Sequence, residues 1–385
     1  MKKIAFILCL LICSSAWAYD WQHQENEELR SDMIAFAKDF ASQSRWTKEG
    51  RALRKFVRKQ KRLARKDEYA WISSTKDFVL QLESMCPPCE DNGGKTAKMR
   101  RNILLLMDFP LHADNKHADA PEALKEAFDA TSSSYREQGR IKALEALAGP
   151  APTEEGQLQV IKVYNSGVIL RTCHRTIAVD IKWEGEMDGA AKIAAAADIF
   201  FLSHPHRDHY SDVMIQALAA AGKTAILPSN VTPDAQWDGK TVIFEDRLES
   251  FNVEGIDVNI VTGHQRELPN NAYMLSFDGW RVLLPGENDQ FELYKAFAPL
   301  EAPNLILEPT WNRVDITFDI VSGMAGYDRE TTFMIPEHEN ELTHGVDHRE
   351  SYRELFNRPD RLGDPSRQYP RVFLLDVGED IVLKK

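Results

Sequence analysis

Apolar positions change their period once along this chain. Up to about residue 147 they recur at helical spacing. Leu29, Met33, Phe36, Ala37 and Phe40 form one stripe, and Leu53, Phe56, Val57, Leu63 and Ala64 form a second. Further helical patterns cover 75–84, 95–107 and 121–147. Gly149-Pro150-Ala151-Pro152-Thr153 then interrupts the rhythm. Beyond it come short β-rich runs at 160–164, 167–172 and 176–181, which read as a meander. A helix at 190–197, a strand at 199–202 and a helix from about 210 to 221 follow. Strands are expected at 225–227, 241–244, 256–261, 272–277, 281–284, 305–307, 332–335 and 372–375, with a helix at 291–297. Strands mixed with helices in this way predict a layered α+β architecture over 151–385, preceded by a helical region over 19–150.

The first eighteen residues belong to neither part. Lys2 and Lys3 precede an apolar run at 4–12, and Ala16-Trp17-Ala18 supplies a small-residue cleavage site. This is the layout of a signal peptide, so the expectation for 1–18 is removal, with a periplasmic or secreted product. The apolar run is too short for a permanent membrane span.

Charge narrows the partners. The 385 residues carry a formal charge of −12, which excludes nucleic acid as a general partner because phosphate binding needs a basic footprint. One stretch runs against that balance. From Arg51 to Lys66 there is no acid, and its apolar residues fall largely on one face. Such a helix can lie on an anionic membrane surface, but a solvated basic face is the reading that so few large apolar residues favour. Cysteine usage adds one feature: Cys86-Pro87-Pro88-Cys89 is spaced for a short structural disulfide in an oxidising compartment, and Cys173 is left over. A haem attachment would need His at position 90, where Glu90 stands.

The chemistry concentrates in Ser203-His204-Pro205-His206-Arg207-Asp208-His209. An apolar strand leads in and a helix leads out, so the tract sits on a loop at a strand end, where a rigid sheet aims side chains. In extended backbone His204 and His206 point the same way and can grip one ion, while Asp208 and His209 turn toward a second. Imidazole nitrogen and carboxylate oxygen suit Zn²⁺, and a catalytic site keeps a position for water.

The pattern His204-x-His206-x-Asp208-His209 resembles the metallo-β-lactamase superfamily of metal-dependent hydrolases, over roughly 157–385. That resemblance implies a four-layered αββα sandwich and further ligands at other strand ends. Asp180 matches the Asp that supports the metal-binding loop without ligating. His264 follows a strand ending in Gly263 and is implied as the third ligand to the ion held by His204 and His206. His338, after the strand through Ile335, is implied to complete the second ion with Asp208 and His209. His344 and His348 follow closely, as substitutes or as groups at the substrate rim, and His344 is the candidate to protonate a leaving group. The sequence departs from the family at Gly286-Glu287-Asn288-Asp289. Many relatives have Asp after this glycine, bridging two ions. Here Glu287 stands there, with Asp289 as the other candidate, which leaves one or two ions open.

Together with the signal segment, the resemblance implies an exported, zinc-dependent enzyme using metal-bound hydroxide, with Asp208 also orienting the nucleophile. Mn²⁺ or Fe would accept the same donors. Its small-molecule substrate is an ester, lactone, amide or phosphodiester. Asn165-Ser166-Gly167 and the early histidine loop are most similar to the ascorbate phosphate lactonase branch. Two other readings stay open: an inactive metal-binding scaffold of the same fold, and a phospholipid-directed phosphodiesterase at the membrane surface.

Overall fold

The computed structural model describes residues 86–112, 122–231, 240–241, 249–342 and 351–385, together with single helical positions at 38, 51, 54, 55 and 58. The signal segment, most of the expected helices at 27–40, 51–66 and 75–84, most of the 241–244 strand, and His344 and His348 lie outside the described residues.

Two mixed sheets carry the architecture. The first takes β2 (Gln157–Tyr164), β3 (Gly167–Arg171), β4 (Thr176–Val179), β5 (Ile199–Phe201), β6 (Thr224–Leu227) and β7 (Lys240–Thr241) in sequence order. The C-terminal strand β15 (Asp380–Lys384) pairs antiparallel on its β2 edge. The second sheet runs β1 (Cys89–Glu90), β14 (Arg371–Leu374), β13 (Phe333–Glu337), β12 (Leu305–Pro309), β11 (Trp280–Leu284), β10 (Leu268–Phe277), β9 (Ile256–Gln265) and β8 (Glu249–Val253). Its strands β11 to β14 are parallel, while β8 to β11 form antiparallel hairpins.

Alternation along the strands decides what each face meets. Val160, Leu170, Ile177 and Val179 of the first sheet join Ile260, Tyr273, Leu275, Val282, Leu307 and Ile335 of the second in one apolar core. The intervening residues Ile161, Val163, Ile169, Ala178 and Phe200 face a helical layer. That layer is α2 (Glu122–Ala148), α3 (Met187–Ala196) and α4 (Asp212–Ala220), through Ala143, Leu147, Ile193, Met214 and Leu218. Strands buried on both faces are apolar at nearly every position, which is why Ile199–Phe201 reads as a bare Ile-Phe-Phe run. On the far side of the second sheet, α5 (Val314–Ser322) meets β12 through Thr317, whose hydroxyl donates to Glu308 at 3.0 Å. A 3₁₀ turn, Phe291–Phe297, lies against β9. The layers run helix, sheet, sheet, helix, the sandwich expected from the sequence.

The chain divides into two compact units. The one holding both sheets takes Cys86–Leu105 as well as Asp129–Lys385, and the other takes Met1–Met85 with Leu106–Phe128. Residues ahead of the Pro-rich break thus belong to the sheet-bearing unit, for reasons of packing. β1 pairs with β14, and the start of α1 (Lys95–His112) brings Arg100 into the interior. The Arg100 guanidinium ion-pairs with Glu379 and donates to the carbonyls of Leu374 and Cys86. Gly139 of α2 closes on Gly378 so tightly that a Cβ at Gly378 would lie 2.4 Å from the Gly139 carbonyl oxygen. The expected disulfide does not form: Cys86 and Cys89 are separate thiols. Cys86 is buried with its carbonyl on Arg100, whereas Cys89 is drawn into the strand on Leu374. Burial pushes the Cys86 thiol up to about 11.

Candidate metal centre

The candidate donors stand at one edge, where parallel strands of both sheets end. Asp180 follows β4, the histidine tract follows β5, Glu287 follows β11 and His338 follows β13. A metal-binding residue must hold one orientation, and here the supporting bonds can be traced atom by atom.

Asp180 organises the tract. Its φ of +46° turns the chain, and its carboxylate accepts from Ser203 N at 2.7 Å and Ser203 Oγ at 2.6 Å. Because the Ser203 hydroxyl proton goes to Asp180, the contact of Ser203 Oγ with His204 Nδ1 at 2.9 Å is donated by the imidazole. Asp180 Oδ2 also faces His209 Nδ1 at 3.1 Å. Both rings therefore carry a proton on Nδ1 and turn Nε2 toward the other donors, the usual service of a carboxylate behind a metal-binding histidine. Asp180 has the supporting role that the resemblance implied. Asn165, at φ +53° in the β2–β3 turn, does the same for Asp208, donating from Nδ2 to Oδ2 at 3.1 Å.

Two donor groups result, and they share one residue. Asp208, His209, Glu287 and His338 form the first, all buried, with one ligand atom from each within 4.8 Å of the others. His204, His206 and Glu287 form the second on the same criterion. Glu287 Oε1 lies 2.9 Å from His209 Nε2 and 2.7 Å from His338 Nε2, while Asp208 Oδ2 lies 3.3 and 3.2 Å from the same two atoms. The other oxygen, Oε2, is 3.9 Å from His204 Nε2. Glu287 thus belongs to both groups, at the place where the resemblance implied a shared Asp. Asp289 does not: it is exposed and accepts from the backbone N–H of Arg266 at 2.5 Å.

His264 is a correction. The sequence placed it at a turn after Gly263, against the site. Instead β9 continues through Gln265, with His264 paired to Pro269 and its side chain exposed. At Gly263 the strand passes so close to Asn288 and Leu293 that a Cβ would lie 2.3 Å from each side chain. Strand alternation then turns Gln265 inward, where Nε2 donates to Glu287 Oε2 at 2.7 Å. His204, His206, Asp208, His209, Glu287 and His338 are brought together; His264 is not, and His344 lies outside the described residues.

Sequence reasoning missed Gln265, Asn312 and the supports of His338. Asn312 Nδ2 donates to the Gly286 carbonyl at 2.6 Å and pins the loop that presents Glu287. His338 itself has φ +72°, left-handed backbone that a non-glycine residue adopts at a cost of about 1–3 kcal/mol. It is held there among buried neighbours. Lys162 Nζ, fully buried, pairs with Glu339 and donates to the Pro336 carbonyl at 3.3 Å. Only the positive charge of Lys162 and the run of Glu residues at 337, 339 and 341 hinted at this.

Electrostatics fit a cation. Burial opposes charge on His209 and His338, yet Glu287 and Asp208 beside them hold both well above the usual histidine range. Burial likewise opposes charge on Asp208 and Glu287, and the same imidazoles hold both well below the usual carboxylate range. For His204 burial wins, with the neighbouring His209 adding to it, and the ring is held well below the usual histidine range. A pair of carboxylates sunk among imidazoles selects positive charge, and the nitrogen and oxygen donors are those of divalent transition ions.

No family model matches the chain. No curated protein does either. Solved structures are similar at low identity. Igni18, a metallo hydrolase from Ignicoccus hospitalis, is 13% identical at a TM-score of 0.44, covering 60% of this chain and 99% of its own. A Thermotoga maritima protein of the metallo-β-lactamase superfamily is 14% identical at 0.28, covering 47% and 76%. CmlA, a diiron β-hydroxylase from Streptomyces venezuelae, is 14% identical at 0.37, covering 61% and 55%.

Proposed function

We propose that this protein is an exported metal-dependent hydrolase, cleaving an ester, lactone, amide or phosphodiester bond in a small molecule. The observation that carries the reading is one carboxylate, Glu287, shared by two convergent donor groups. His204, His206 and Glu287 would hold one ion, and Asp208, His209, His338 and Glu287 the other. Ions so held would polarise a substrate oxygen and lower the pKa of a water to about 7.

The chain's own residues supply the rest. Asp180 keeps the Nδ1 protons of His204 and His209 in place, directly or through Ser203. Asn165 orients Asp208. The Trp311 ring lies 6.4 Å from that of His338 and forms an apolar wall beside it. His206 is only partly buried and Arg207 is exposed, so the substrate would enter from the tract side. Zn²⁺ is favoured by this donor set, and Mn²⁺ or Fe would accept the same two imidazoles and carboxylate in each group. Export rests on the signal-like segment at 1–18, and contact with an anionic membrane on the basic run from Arg51 to Lys66.

The test is metal analysis of the purified protein together with a panel of esters, lactones, amides and phosphodiesters. Chelator-sensitive turnover restored by one added ion is the expected result. A folded, metal-replete protein that is inert across the panel would replace this reading with the scaffold.

A further inference from the structure

The two donor groups are not equivalent, and the difference traces to one side chain. The group around Asp208 has four protein donors, whereas the group around His204 and His206 has Glu287 and no third imidazole among the described residues. Gln265 stands at the inward position at the end of β9, the strand expected to supply that imidazole, and only 8% of it is exposed. A carboxylate only accepts hydrogen bonds, so the amide turns its nitrogen to Glu287 Oε2, at 2.7 Å. Its own Oε1 is left buried with no hydrogen-bond partner.

Gln265 is fixed from several directions. Its strand is zipped to β10 through Leu268, and Asp289 N donates to the neighbouring His264 carbonyl at 2.9 Å, tying β9 to the Glu287 loop. On the loop side, Gly286 at φ +63° presses on β10 so closely that a Cβ there would lie 2.3 Å from Asn270 Oδ1. The amide therefore meets Glu287 between two restrained backbones.

We propose that Gln265 is a positioning residue that sets Glu287 between unequal cation sites, with a tight one at Asp208, His209 and His338 and an exchangeable one at His204 and His206. This rests on the metal-centre reading above. It inverts the order that a third imidazole beside His204 would give. The carboxylate oxygen that the amide nitrogen holds, Oε2, is the one that faces His204 Nε2, at 3.9 Å.

The test uses the full chain, stripped with chelator and titrated with Zn²⁺ against a chromophoric competitor, with ions per chain counted by mass spectrometry. Two steps are expected, separated at least about ten-fold in affinity. Gln265→His should tighten the weaker step by about ten-fold or more and leave the stronger one in place, while Gln265→Ala should weaken it by about 10–100-fold, the usual cost of losing a partner of a metal-binding group. Two indistinguishable steps in the parent protein would overturn the proposal whether or not a variant folds. So would a weaker step that neither substitution moves. Failure of the metal-centre reading looks different: a folded parent, by circular dichroism, that takes up no ion.

Discussion

The two sheets contribute to the centre by different routes. The first sheet delivers His204, His206, Asp208 and His209 from a single loop, six residues long, backed by one carboxylate at the end of the neighbouring strand. The second sheet delivers Glu287, Gln265 and His338 from three separate strand ends, each pinned by contacts far away in sequence. A local motif needs only its own backbone to bring donors together. A distributed half needs strand register, tight glycines and buried ion pairs, so its geometry is open to disruption at a distance.

The largest expected effect tests the shared residue. Glu287→Ala removes a donor from both groups and should lower zinc affinity at each by more than the 10–100-fold typical of a lost supporting contact, read as ions per chain. His264→Ala is its control: an exposed side chain outside both groups, expected to change stability by less than about 0.5 kcal/mol and metal content not at all. Metal loss in the His264 variant equal to that in the Glu287 variant would break the comparison, because the exposed imidazole would then be a ligand.

A smaller effect comes from beneath His338. Lys162→Met leaves Glu339 as a buried charge without its partner, which should cost about 3–5 kcal/mol in urea unfolding. Because Lys162 also holds the Pro336 carbonyl, the variant should lose more affinity, relative to the parent protein, at Asp208, His209 and His338 than at His204 and His206. An equal loss of affinity at both positions would show that support on the second sheet is not specific to its own donors.

The smallest is a pH effect on the same side. Burial holds the Glu308 carboxyl well above the usual carboxylate range, although the Thr317 hydroxyl bond works the other way. The folded protein then keeps a proton that the unfolded chain releases above about pH 4.3. Stability should fall as pH rises from there toward the folded value, since the folded state binds more protons in that window. Glu308→Gln should flatten that fall by roughly 1.4 kcal/mol for each pH unit of the window, measured by denaturation at several pH values. An unchanged slope would mean that Glu308 is ionised in the folded protein.

Much of this was legible in the sequence. The expected strands at 160–164, 176–181, 199–202, 272–277 and 281–284 coincide with observed ones, because strands buried on both faces are apolar throughout. Short or exposed elements escaped: β8 is half polar, β1 has two residues, and β15 alternates so near the terminus that it reads as a tail. Helix α6 (Tyr352–Asn357) was hidden by its length of six residues, although it begins with a complete Ser351–Glu354 capping box. At the site, the tract could be read from its own spacing, because spacing within a loop fixes which side chains converge, whereas Asp180 was legible only through the family resemblance.

By itself, then, the sequence determined the layers and the donors that lie next to one another, since periodicity and local backbone are properties of neighbouring residues. Only the tertiary structure decided that β9 runs two residues past Gly263, turning His264 to solvent and Gln265 to Glu287. It also decided that Glu287 rather than Asp289 is shared between the two groups. Both outcomes depend on how closely the 286–288 loop can approach β9 and β10, a distance set by packing between segments that no local pattern encodes.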